Sequence, residues 1–206
     1  MLRIISFSIT LLFIALESNA QSVGFSPEMV LGNRSISYQH FVSHRFDEKW
    51  SINNVSLFDT EYNNDRNNIF FIRNMLSYNF NKHFKVSAAI GVKNPGAFAT
   101  IAYQYQYKTP SFTLSYAIGS SYQKSFTFDQ TLILNYTPSL SNSIKAYLSL
   151  FAVVNTNLKL LERGIQQLRI GIKKHKLITG IAVNLDQFTK AETTLNNYGI
   201  FIKTNH

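Results

Sequence analysis

Residues 99–119 read ATIAYQYQYKTPSFTLSYAIG, and the facing of this one hairpin decides the fold. Ala99, Ile101, Tyr103, Tyr105 and Tyr107 alternate with Thr100, Ala102, Gln104, Gln106 and Lys108. A break at Thr109-Pro110 follows, and Phe112, Leu114, Tyr116 and Ile118 then alternate with Thr113, Ser115, Ala117 and Gly119. A period of two marks strands, because successive side chains of a strand point to opposite faces. If the apolar face points inward, the chain is a soluble barrel. If it points outward, its solvent is a bilayer.

The same pattern runs along most of the chain. Period-two segments are expected at 34–45, 50–60, 68–79, 84–93, 97–108, 111–121, 126–137, 143–154, 164–174, 176–186 and 196–205. Compact polar breaks separate them, such as Asn81-Lys82-His83, Pro138 to Asn142 and Lys174-His175. One stretch has a competing helical period, LKLLERGIQQL at 158–168. Strands joined to their sequence neighbours form an antiparallel meander, which removes its free edges by closing into a barrel. Single-chain bacterial membrane barrels have even strand numbers. Twelve strands are therefore expected, the twelfth within 22–33 despite Pro27, with ten as the alternative.

Composition favours the lipid-out facing. Filling a closed interior with the Phe, Tyr, Leu and Ile of eleven strands would overpack it, since small soluble barrels such as lipocalins use eight. The opposite face is rich in Ser, Thr, Ala, Gly and Gln, and charged residues make up 15% of the chain, sparse for a surface solvated by water. The expected lipid-facing residues include Ile101, Leu114, Leu134, Ile170 and Ile200. Aromatics on that face gather beside the turns: Phe80, Phe84, Tyr105, Tyr107, Phe112 and Tyr136. Rings with one wet edge prefer the membrane interface, so these form the expected girdle.

The N-terminus reads as an export signal. A short basic start, Met1-Leu2-Arg3, precedes an apolar run from Ile4 to Leu16, and Ser18-Asn19-Ala20 supplies small residues before Gln21. The expected organisation is a signal peptide over 1–20 and a barrel over 21–206. The chain has no cysteine, which excludes thiol catalysis and Cys-ligated metal.

The signal ending SNAQS (18–22), the hairpin LSYNFNKHFKVSAAIGVKNPG (76–96) and the terminal NNYGIFIKTNH (196–206) resemble small outer-membrane β-barrel proteins of Gram-negative bacteria, in the style of the Bacteroidota. The terminal segment is similar to the signal by which such barrels are recognised for insertion, although it ends in His206 where that signal usually has an aromatic. The resemblance implies an outer-membrane location, contact with membrane lipids and lipopolysaccharide, and handling by the barrel-assembly machinery. With the C-terminus in the periplasm, the turns at 81–83, 108–110, 138–142 and 174–175 are expected to be periplasmic.

Net charge is +9, but its cations are dispersed and no nucleic-acid motif occurs, so nucleic acid is not an expected partner. On the polar parity lie Arg73, Lys85, Lys93, Lys108, Lys145, Arg169, Lys173 and Lys203, against Asp129 and Asp186. Inward-facing charge tunes ion selectivity, so a wet lumen would favour a small anionic solute. Asp59, Glu61 and Asp65, with Asn63 and Asn64, read as a solvated acidic loop that has Ca²⁺ binding as its sharper alternative. No cofactor and no metal site are expected.

Catalytic signals are weak. The chain has five histidines and neither a G-x-S-x-G nor an H-E-x-x-H motif. His40 and His44 share one face but stand roughly 13 Å apart along a strand, too far for one metal. The leading expectation is a passive, porin-like channel or a structural membrane protein without enzymatic activity. A rim enzyme acting on lipid or lipopolysaccharide and a soluble exported ligand-binding barrel are the alternatives.

Overall fold

In a bilayer every backbone N–H and C=O must find a partner within the protein, and a closed ring of strands provides one for each. The chain takes that form. The computed structural model describes residues 23–94, 96–157, 159–188 and 193–206. The expected signal segment, 1–20, lies outside them. Twelve antiparallel strands follow in chain order: β1 (Gly24–Gly32), β2 (Ser35–Arg45), β3 (Trp50–Glu61), β4 (Ile69–Asn79), β5 (Phe84–Lys93), β6 (Gly96–Lys108), β7 (Phe112–Tyr122), β8 (Phe126–Tyr136), β9 (Ile144–Thr156), β10 (Leu161–Lys174), β11 (Leu177–Phe188) and β12 (Thr193–Thr204). Each pairs with its sequence neighbours, and β1 pairs with β12 to close the barrel. No α-helix occurs among the described residues.

The twelfth strand is β1, and it contains Pro27. Proline has no N–H to give to a ladder, so it belongs where pairing stops. Pro27 faces His40 on the β2 side, while the register with β12 begins one residue later, at Glu28↔Lys203. The helical period of 158–168 loses to strand pairing: from Leu161 onward it is β10, in register with β9 and β11, with an irregularity between Leu161 and Arg163. Asp59 and Glu61 are not loop residues, as the sequence reading had them. They end β3 on a buried face, where Arg34 neutralises both.

The termini meet at one rim, where Phe25 and His206 exchange backbone hydrogen bonds of 3.2 and 2.9 Å. The turns at 46–49, 80–83, 109–111, 137–143 and 175–176 share that rim, here called the terminal rim. One of them is a two-residue hairpin in which His175 takes φ 54°, the left-handed conformation such tight turns require. Gly171 and Gly180 face each other across β10 and β11. A Cβ on either would lie 2.1 Å from a carbonyl oxygen, of Thr179 or Ile170, so this tightly coiled pair admits only glycine.

Inside and outside follow from one contact. Arg169 of β10 reaches Glu28 of β1 at 2.8 Å, and these strands are separated by β11 and β12, so the contact crosses the lumen. Residues directly opposed in register point the same way, which carries the inward parity from Glu28 around the whole ring. Ile101 is 60% exposed on the outer surface, and Ile170 and Ile200 are similarly exposed there. Leu114 and Leu134 are outer-face register partners.

Outer rings form a belt below the terminal rim along β3–β8. Trp50 meets Tyr78 at 4.9 Å, Tyr78 meets Phe80 at 5.4 Å, and Phe84 meets Tyr103 and Tyr105 at 5.7 and 5.3 Å. Tyr107 then meets Phe112 at 6.5 Å, whose register partner is Tyr136.

Candidate functional site: the inner wall

The inner wall has two unlike sides. On β10, β11, β12, β1 and the start of β2 the inward residues are sealed against one another. Val30, Tyr147, Ile178, Ala182 and Phe201 form a buried apolar cluster inside the barrel. Over it lies a polar layer centred on Glu28, which is 3% exposed. Glu28 accepts from Arg169 Nε at 2.8 Å and from Gln39 Nε2 at 2.8 Å, and Lys203 Nζ stands 3.6 Å from its second oxygen. Arg169 also donates to Asn184 Oδ1 at 2.8 Å, and its guanidinium sits over the Phe201 ring at 5.8 Å.

The far rim of this side is closed in the same manner. Arg163 makes a fork with Asp186 at 3.1 and 2.6 Å, and Arg34 holds Asp59 at 2.8 Å as well as Glu61. Asn197, fully buried, accepts from the Arg34 and Ser35 backbone N–H groups at 3.0 and 3.2 Å. Buried polar groups are tolerated when they are paired, and here each carboxylate meets a guanidinium, while Arg34 Nε, Ser35 Oγ and Asp59 Oδ1 are left without a partner among the described residues.

Across the lumen, β6–β9 present a different surface. Thr100, Ala102, Gln106, Thr113, Thr131 and Ser149 point inward and remain partly exposed. Asp129 is the carboxylate of this wall, bonded to Ser121 and Asn155. Phe71 and Phe98 stack at 5.5 Å where β4 and β6 flank β5, with Arg73 over one ring at 5.6 Å and Lys93 over the other at 5.0 Å.

The basic residues singled out from sequence divide between these sides. Arg73, Lys85, Lys93, Lys108, Lys145 and Lys173 all lie on the inward parity, and none forms an ion pair among the described residues. Arg169 also points inward, but Glu28 neutralises it. Lys85, Lys108, Lys145 and Lys173 are at or next to strand ends on the terminal rim, and Arg45 joins them at the end of β2. Lys145 and Lys173 are direct register partners, so two cations stand side by side. Arg73 and Lys93 lie farther towards the opposite rim.

Sequence reading missed Glu28, Arg45 and Arg163 as inward residues. Glu28 lies in the stretch 22–33, where a strand is expected without a register or facing, Arg163 falls just before the segment expected from 164, and Arg45 ends a segment whose alternation is not followed to its last residue. It also missed the inward rings Phe71, Phe98 and Phe201, because each stands beside an apolar outward neighbour and blurs the alternation.

No protein-family model matches the chain, and no curated protein does. Solved structures do. A KdgM porin in complex with disordered oligogalacturonate is similar with a TM-score of 0.56 and 9% identity over 88% of this chain and 98% of that one. A NanC porin gives 0.56 and 8% over 89% and 99%. A second KdgM porin structure gives 0.52 and 10% over 88% and 98%. The chain has the fold of outer-membrane porin barrels. At these identities the likeness is one of fold.

Proposed function

We propose that the protein is a passive diffusion channel of the outer membrane that favours anions, with its passage running along β4–β9. The observation that carries this reading is the set of inward cations without ion-pair partners, Arg73, Lys85, Lys93, Lys108, Lys145 and Lys173, on or beside the side where inner residues stay exposed. Like charges directly opposed across strands destabilise a sheet. An anion beside Lys145 and Lys173 relieves that repulsion. Farther in, Arg73 and Lys93 set a positive potential opposite the single carboxylate of Asp129.

The outer belt of rings and the exposed Ile101, Ile170 and Ile200 suit interface and hydrocarbon respectively, which supports membrane lipids and lipopolysaccharide as the surroundings and the barrel-assembly machinery as the route of insertion. With the C-terminus on the periplasmic side, the terminal rim and its cations face the periplasm. The bound oligogalacturonate of one similar porin adds acidic oligosaccharides to the solutes worth testing.

The reading is non-enzymatic. His40 and His44 face outward, His83 Nδ1 is 3.0 Å from the Gln106 carbonyl, and no group of three metal-ligating side chains occurs among the described residues. Conductance in planar bilayers under a salt gradient tests the proposal. The expected result is a reversal potential of anion-preferring sign that moves towards zero in an Arg73→Gln, Lys93→Gln double variant. A folded barrel that gives no conductance refutes the channel and leaves a structural role.

A further inference from the structure

The outer face should be apolar at the bilayer centre, and on β2–β4 it is not. Trp50 pairs with Tyr78 near the terminal rim, and Phe58 pairs with Phe70 towards the other. Midway between these two ring pairs stand Asn54 and Asn74, also register partners and also on the outer parity. Asn54 Nδ2 donates to Asn74 Oδ1 at 2.9 Å, and Asn54 Oδ1 accepts from Ser56 Oγ at 3.1 Å and lies 3.2 Å from His40 Nε2. Two needs are left over. Asn74 is exposed and accepts without donating from its own amide nitrogen, and the buried His40 Nδ1 has no partner. A free amide N–H in hydrocarbon has nothing to bond, so such groups are expected to be covered by protein.

We propose that this face is a two-fold interface between copies of the chain, with Asn74 at its centre. All copies insert with the same rim towards the same side, so a symmetry axis between two of them runs along the membrane normal and brings equal depths together. An amide both donates and accepts, so Asn74 opposite its own copy satisfies both sides reciprocally. Beside Asn74 lies an outer groove of about 550 Å³ walled by Ile72, Ile90, Val92, Ala97 and Ala99. The two-fold turns the opposite flank of the partner, with Tyr38 and Phe25 packed around His40, towards that groove.

A second outer groove shows the contrast: Phe112, Leu134, Leu148, Leu150 and Leu168 line it with apolar side chains, which suit an acyl chain. The His40, Asn54 and Ser56 trio is a poor hydrolase, since lipid esters lie at the interface, roughly 15 Å from the midplane of a hydrocarbon layer about 30 Å thick.

The test uses the full chain extracted with its surrounding lipid by an amphipathic polymer. Light scattering is expected to give the protein mass of two chains, falling to one in Asn74→Leu while the boiled and unboiled forms still migrate differently on a gel. The chain has no native cysteine, so an introduced one is unique. Mild oxidation of membranes is expected to link Asn74→Cys into a homodimer and to leave Ile170→Cys, on the far outer face, unlinked. A wild-type mass of one chain, an Asn74→Leu variant that stays paired, equal linking of both cysteine variants, or linking to a different protein each overturns the proposal. These readouts are independent of conductance.

Discussion

Along β10, β11, β12 and β1 the inner residues interlock through ion pairs, one of which reaches across the lumen, whereas along β6–β9 they bond only to near neighbours and many stay partly accessible. Both sides are made of strands with the same alternation and much the same polarity. They differ in where the carboxylates are. Glu28, Asp59, Glu61 and Asp186 all sit on the sealed side, and each holds an arginine. The other side has Asp129 among several cations. On the sealed side Arg169 reaches across the lumen to a partner of opposite charge, and the cations of the other side have no such partner among the described residues.

The contrast can be broken most severely at Glu28. Replacement by Leu leaves Arg169 buried and unpaired, a loss of about 3–5 kcal/mol for a broken buried ion pair. Urea unfolding of the refolded barrel measures it, and a loss no larger than that of an exposed pair would show the sealed side to be wetter than described. The outer surface gives the next effect. Ile101→Arg is expected to cost about 2–4 kcal/mol near the bilayer midplane, while Thr100→Arg, pointing into the open side, is tolerated. Equal costs in the same titration would invert the facing.

Within the sealed side, Asn197→Ala strips the Arg34 and Ser35 N–H groups of their acceptor, at about 1–3 kcal/mol. The smallest change is Thr131→Ala on the accessible side, within about 0.5 kcal/mol of wild type. A Thr131→Ala loss matching that of Asn197→Ala would erase the difference between the sides.

Much of this architecture is legible in the residues. The hairpin at 99–119 has its Ile101 and Ile118 outside and its Gln104 and Ser115 inside, bonded to each other. Segment ends agree to within a few residues, since turn chemistry marks them independently of alternation. The sealed side was not legible. Glu28 and Arg169 are 141 positions apart and on strands that do not pair, so neither local period nor neighbour register brings them together. Phe71 and Phe201 look like lipid-facing residues when read alone and are placed inside by parity counted from their neighbours. The outward Asn74 breaks an otherwise apolar series, and alternation has no means of saying what covers it.

The join between β1 and β12 unites the two ends of the chain, and its ladder is short, spanning Glu28–Gly32 against Gly199–Lys203. Bringing such distant segments together carries the greatest loop-closure cost in the chain, so the ring shuts only once the last strand is in place. Glu28 on one lip of that join grips Lys203 on the other and Arg169 beyond it. The ion cluster thus acts as a staple over the weakest stitch, and a polypeptide cut short before Lys203 loses part of its fastener along with its final strand.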